Sequence, residues 1–476
     1  MRTAAGLRFG LPDQQKERDM ASRTLVVLLS GVLAPFAAQA ANLVENPDFN
    51  SGLDGWSLAS EAGTVDIDAD NGFPSAPALH LAGDSTSGAA AQSACIMIDD
   101  SANVDLRALV LPSGGTAALV VQPYSDAACE TPIDPVSTAS VDANGEWQEL
   151  ALTDTALPDG TLSARVVLYA SLGSDDSVGD ALFDHVAFGP TGTVPYAVDV
   201  SQEGLTGAWY DSASSGQGFE LVMSPGDPVY LFGAWYTFGT EAGGPETQRW
   251  FSLDSMIDPG ATSTDVTIYQ NTGGNFLAPP ITNAVAVGSG TLTFYSCTSG
   301  LFTYAFDDGP SGSIPLLALM PNVECADPGT STTAPPPSDY GLSGTWYDPA
   351  NAGQGFIVNV NPVDMQVFLG WYTYAIDGES QGEAGQRWFS AQGQHTTSGT
   401  GTNALDNLTI YESTGGTFDA PDAVTTTPVG TATLTFDSCT SATFDYVFTA
   451  GEMSGKSGTI ALTRLGTPLA SCQPGG

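Results

Sequence analysis

Eight tryptophans punctuate this 476-residue chain, and six of them come in matched pairs: Trp209 with Trp346, Trp235 with Trp371, and Trp250 with Trp388. Arg249 and Arg387 stand directly before the last pair, in a chain with only 11 basic residues against 53 acidic ones. An indole face stacks on a sugar ring and a guanidinium forks onto a carboxylate or hydroxyls, so these side chains define a candidate glycan platform. Packing is the competing reading. Large aromatics fill cores, and each arginine would then neutralise a half-buried acid such as Asp211 or Asp348, which follow Trp-Tyr. Catalytic groups are scarce: His80, His185 and His395 are the only histidines, and none recurs at a matched position, which excludes a duplicated Ser-His-Asp or zinc site. No Gly-x-Ser-x-Gly elbow, P-loop or dinucleotide fingerprint is present. A carboxylate pair for glycoside hydrolysis stays open, because so many acids supply countless pairs and sequence spacing does not fix their separation.

The paired residues are landmarks of a duplication. Gly204-Leu-Thr-Gly-Ala-Trp-Tyr-Asp211 returns as Gly341-Leu-Ser-Gly-Thr-Trp-Tyr-Asp348, Ser215-Gly-Gln-Gly-Phe219 as Ala352-Gly-Gln-Gly-Phe356, and Gln248-Arg-Trp-Phe-Ser252 as Gln386-Arg-Trp-Phe-Ser390. Within each copy the apolar residues alternate, which is the period of a strand: Phe219, Leu221 and Met223 match Phe356, Val358 and Val360, while the residues between them change character. About eight such runs, separated by Gly, Asn, Asp and Pro, predict an antiparallel meander that either closes into a barrel or folds into two sheets. One strand carries a surplus. Phe232, Tyr236 and Phe238 share one face while Leu231 and Trp235 share the other, yet only one face can point into a single-layer barrel. The second face needs a partner.

The hairpin Gly344-Thr-Trp-Tyr-Asp348 with Gly355-Phe-Ile-Val358 resembles the opening of the avidin-like eight-stranded barrels, over about fifteen residues. Both copies also resemble a tandem Gly-x-Trp-Tyr, Gly-Gln-Gly-Phe repeat of exported bacterial proteins without an assigned activity. Upstream, Asn42-Leu-Val-Glu-Asn-Pro-Asp-Phe-Asn50, Gly52-Leu-Asp-Gly-Trp56, Gly145-Glu-Trp-Gln-Glu-Leu150 and Leu182-Phe-Asp-His-Val-Ala-Phe188 together resemble carbohydrate-binding modules of the family 4/9 type, which are jelly rolls. That resemblance implies a structural calcium at Asp184, although Asn50 and His185 stand where the family carries acids. It makes Trp56 and Trp147 structural and leaves Phe73, Tyr124 and Tyr169 as sugar-facing candidates. The expected fold class is therefore all-β: a jelly-roll β-sandwich followed by two tandem antiparallel β-barrel-like repeats.

Boundaries follow composition. The apolar run Leu25 to Phe36, then Ala38-Gln-Ala40, reads residues 1–40 as a signal peptide, with Met20 as an alternative start. The sandwich takes 41–190, the repeats 204–326 and 341–473, and a Pro/Thr/Ser-rich linker 327–340 would hold the repeats apart as separate beads. Beyond residue 40, 6 basic residues face 50 acidic ones, a net charge of −44 that disfavours nucleic acid and anionic lipid as partners. No later apolar stretch is long enough for a membrane span. Six cysteines fall two per domain and predict disulfides Cys95 with Cys129, Cys297 with Cys325 and Cys439 with Cys472, as suits a secreted, cell-surface or periplasmic chain. Apart from the calcium, no cofactor is expected. The functional expectation is a non-catalytic binder of extracellular polysaccharide, against two alternatives: a glycan-active hydrolase, or a structural spacer.

Overall fold

The computed structural model describes residues 42–59, 62–98, 103–135, 138–214, 216–321, 325–330, 338–394, 404–421 and 424–472. The segment read as a signal peptide, His395 and residues 331–337 of the Pro/Thr/Ser-rich stretch lie outside them. The described residues form strands joined by turns and short 3-10 segments, and no helix among them is long and apolar enough to cross a membrane.

Two antiparallel sheets make the N-terminal sandwich. One orders its strands Trp56–Leu58, Ala89–Ser93, Ser163–Ser171, Thr116–Tyr124 and Thr138–Asp142, with Ile96–Met97 also pairing to Ser163–Ser171. The other orders Thr64–Asp68, Ala78–Ala82, Asp180–Pro190, Val104–Gly114 and Gln148–Thr155. Alternation sets the core: Leu119, Val121, Val166 and Leu168 from the first sheet meet Leu106, Ala108, Val110 and Phe183 from the second. Trp56 packs in this core with its indole N–H on the Glu45 carbonyl at 3.2 Å, a structural role as expected.

Each repeat is a closed eight-stranded barrel, so the choice between barrel and sandwich resolves to the barrel. Closure is visible in the register: Trp209 pairs with Ala318 in the first barrel and Trp346 with Arg464 in the second. All eight runs read from the sequence are strands, from Gly207–Tyr210 to Ser311–Ala318 and from Gly344–Tyr347 to Ser457–Leu465. Phe219, Leu221 and Met223, like Phe356, Val358 and Val360, point inward, where aromatic stacking fills the lumen. Trp235 stacks on Phe219 with centroids 5.2 Å apart, and Trp371 on Phe356 at 5.0 Å. The three disulfides join the expected partners.

The bead-on-a-linker expectation is overturned. The barrels share one apolar seam built from Val222, Ala234, Tyr236, Phe238 and Trp250 of the first and Ile357, Tyr372, Tyr374 and Trp388 of the second. Even the end of the presumed linker is anchored, because the buried Tyr340 hydroxyl donates toward the Glu203 and Thr206 carbonyls at 2.7 Å each. Composition marks the stretch between the copies, but a short tether does not prevent two apolar faces from meeting.

Candidate functional site

The six repeat tryptophans are all buried, in two different settings. Trp209, Trp235, Trp346 and Trp371 belong to barrel interiors; Trp209 donates to the Leu205 carbonyl at 3.2 Å, and the Arg464 guanidinium lies 4.4 Å above the Trp346 ring. Trp250 and Trp388 face the seam and make reciprocal bonds: Trp250 Nε1 donates to the Thr373 carbonyl and Trp388 Nε1 to the Thr237 carbonyl, both at 3.0 Å. Arg387, 3% exposed, forks onto Glu452 at 2.5 and 3.2 Å and donates to the Ala384 and Gln386 carbonyls at 2.7 Å. Arg249 donates to the Glu246 and Gln248 carbonyls at 2.9 and 2.7 Å and stands 4.0 Å from Glu383 of the other barrel. Neither arginine neutralises the acid after Trp-Tyr; Asp211 and Asp348 instead cap short turns by accepting the Ala213 and Ala350 amides at 2.9 Å. A stacking platform built from these eight residues is therefore corrected to packing, because all six indole rings are buried and both guanidinium groups are engaged by carbonyl oxygens.

The shared motifs are the parts of the seam. Gln248 Nε2 donates to the Trp388 carbonyl at 2.9 Å and Gln386 Nε2 to the Trp250 carbonyl at 2.8 Å. Gln217 of Gly-Gln-Gly-Phe reaches the Ala420 carbonyl at 3.1 Å, and its twin Gln354 reaches the Asn275 carbonyl at 3.1 Å. The loops they hold exchange phenylalanines. Phe276 of the first copy enters the second barrel, 5.6 Å from Trp371, and Phe418 of the second enters the first, 5.3 Å from Trp235. Asp419, beside that plug, accepts a 2.5 Å bond from Tyr304 of the first barrel, and burial pushes its carboxyl up to about 6. Sequence reading missed this exchange, although Thr272-Gly-Gly-Asn-Phe276 and Thr414-Gly-Gly-Thr-Phe418 repeat one another.

The sandwich presents its two outer faces differently. The face of the Asp180–Pro190 sheet is covered: Phe73, Trp147, Leu182 and Tyr196 pack with Tyr295 and Leu301 of the first barrel, and the Ser313 amide of that barrel donates to Glu146 at 2.9 Å. This uses Phe73, one of the sugar-facing candidates, for docking. Asp184 is buried here as well, accepting the Phe73 and His185 amides at 2.9 and 2.8 Å, and burial raises its carboxyl well above the usual range. No three His, Cys, Asp or Glu side chains among the described residues are grouped to hold a metal ion.

The other outer face carries both remaining candidates. On Ser163–Ser171, Ala164, Val166, Leu168 and Ala170 point into the core, which turns Arg165, Val167 and Tyr169 outward. Register places Tyr169 between Ala90 and Ala118, Val167 between Gln92 and Val120, and Arg165 beside Gln122. Ala90, Val120 and Val167 form a small buried floor, and Tyr169 rises at its edge, 39% exposed. Tyr124 pairs with Ser163, six residues along, so the two tyrosines bracket a face roughly 20 Å long. Arg165 Nη1 is held by the Ser93 carbonyl at 2.6 Å and Gln122 Nε2 by the Ile133 carbonyl at 2.5 Å, which fixes both polar side chains beside the floor. The alternation Arg165-x-Val167-x-Tyr169 against an all-apolar second parity was the signal for Arg165.

No protein-family model matches the chain, and no curated protein matches it in sequence. Solved structures that share part of its shape include the enzymatically active domain of Bacteriophage CBA120 tailspike protein 4, 16% identical over 31% of this chain and 21% of that one, with a TM-score of 0.27. A family 61 carbohydrate-binding module in complex with β-1,4-galactotriose is 16% identical over 32% of this chain and 99% of the module, with a TM-score of 0.23. The CBM22-2 xylan-binding domain from Paenibacillus barcinonensis is 13% identical over 30% of this chain and 98% of the domain, at 0.24. At these scores the similarity bears on neither ligand nor activity.

Proposed function

We propose that this chain is an exported, non-catalytic glycan-binding protein whose contact surface is the open sheet face around Tyr169, with the fused barrels as its rigid carrier. The observation that carries this reading is the asymmetry of the sandwich: one outer face is sealed by the first barrel, while the other sets an exposed tyrosine beside fixed amide and guanidinium groups. Sugar recognition needs that combination, a ring for the C–H face and oriented donors and acceptors for hydroxyls. Three disulfides and strong acidity suit a chain working outside the cytoplasm.

Affinity electrophoresis through gels containing soluble xylan, galactan, β-glucan or pectin tests the reading. At least one polymer should retard the protein, and Tyr169→Ala should weaken that retention at least 10-fold, about 1.4 kcal/mol, with an unchanged melting temperature. Failure of every polymer, or equal retention of the variant, would overturn it.

A further inference from the structure

The duplication gives the seam two matching halves, and they differ at the rim. In one half Tyr230, near the start of Val229–Phe238, lies against Gly466 of the second barrel, where a Cβ would stand 3.9 Å from its ring. The ring is half-buried there, and its hydroxyl is pushed up to about 12, first by burial and then by Asp254 and Tyr269. The other half has neither residue. Counting from the aligned Trp235 and Trp371, the counterpart of Tyr230 is Gln366, which is exposed; counting from Leu316 and Leu462, the counterpart of Gly466 is Met320. A tyrosine ring that covers one rim is thus missing from the other.

On the side that lacks it, a cavity of about 330 Å³ lies between the barrels. Phe368, two residues from Gln366 on the same strand face, stands in its wall with Tyr210 and Trp388. The exposed Leu319, Gln392 and Thr426 mark where it meets solvent. No lysine, arginine, histidine or aspartate lines it among the described residues. Glu220 is the acid in the lining, but its carboxyl is turned away beneath Gly370, toward Tyr236 and onto Asn359 Nδ2 at 2.7 Å, where burial holds it uncharged. The open surface of the cavity is therefore aromatic and neutral.

We propose that this cavity binds an uncharged phenol carrying a short alkyl chain, its ring laid on the aromatic wall as Tyr230 lays its own over the matching rim. Size agrees with that class. A dry cavity of about 150 Å³ holds benzene, so this volume has room for one ring and a chain of a few carbons. Trp388, Ser390 and Gln392 fall on one face of Gln386–Gln394, which sets a hydroxyl and an amide beside the indole for the phenolic O–H. A carboxylate on the same ring would meet no cation in the cavity and a repelling acidic surface outside it.

Calorimetry of the full chain with 4-propylphenol tests this. The expected result is saturable binding, at least about 10-fold tighter than that of 3-(4-hydroxyphenyl)propanoate, which adds a charge, or of 4-propylcyclohexanol, which lacks the flat ring. Met320→Gly with Gln366→Tyr writes the covered rim into the open half and should lose the phenol while unfolding at an equal or higher temperature. Gln392→Trp, at an exposed position of the mouth, should lower the affinity at least about 10-fold whether or not the double variant folds. No saturable heat with the unmodified protein, equal affinity for the charged or the saturated analogue, or undiminished phenol binding by Gln392→Trp or by the folded double variant would each overturn the proposal.

Discussion

At the scale of single residues, identity between the two copies marks the seam more than any ligand. Gly216 and Gly353 show why: their φ angles are +96° and +98°, a region that disfavours a Cβ, and a Cβ there would also overlap Val424 and Thr282 of the opposite barrel. These glycines let Gln217 and Gln354 lie against the neighbouring loop, with each glutamine Oε1 fixed by a threonine hydroxyl at 2.7 Å. Gly216→Ala should therefore destabilise the barrel pair by about 1–3 kcal/mol, read as a lowered unfolding midpoint, and leave glycan retention at the sandwich unchanged. A variant with wild-type stability would show that the strained turn is dispensable.

At the scale of elements, Val229–Phe238 illustrates both what the sequence disclosed and where it stopped. Its two aromatic faces were legible from alternation, and so was the need for a second partner. What that partner was could not be read, because strand period separates inside from outside without saying what the outside meets. The sandwich face was half legible in the same way: Tyr124 and Tyr169 stood out as aromatics, whereas Gln92, Gln122 and Arg165 join them only through cross-strand register. Trp250, Trp388 and the arginines were misplaced on a ligand surface because an outward aromatic in one barrel is an inward one for the pair. The loop exchange makes a sharper prediction. Phe418→Ala removes a side chain of the second copy but should cost the first barrel about 3–5 kcal/mol, visible as faster amide exchange along Val229–Phe238. Exchange that quickens only in the second barrel would contradict the plug.

At the scale of the whole molecule, buried carboxyls tie stability to pH. Asp184, Glu220 and Asp419 all have raised folded-state values, with desolvation as the leading cause. The folded chain consequently holds more protons than the unfolded one above the ordinary carboxylate range, so stability is greatest in mild acid and falls as pH rises. For Asp419 the loss runs from near its ordinary value of 3.8 through about 6. Melting temperatures taken from pH 4.5 to 8 should decline, and Asp419→Asn together with Glu220→Gln should flatten the slope; an unchanged slope would remove these groups as its origin. The crossed phenylalanines also set an order of events in biogenesis. Phe418 lies a hundred residues beyond Ala318, the end of the last strand of the first barrel, so that barrel is synthesised before the side chain that packs against its core. Each barrel is completed by a side chain that its neighbour supplies, so the finished packing of either half belongs to the joined pair.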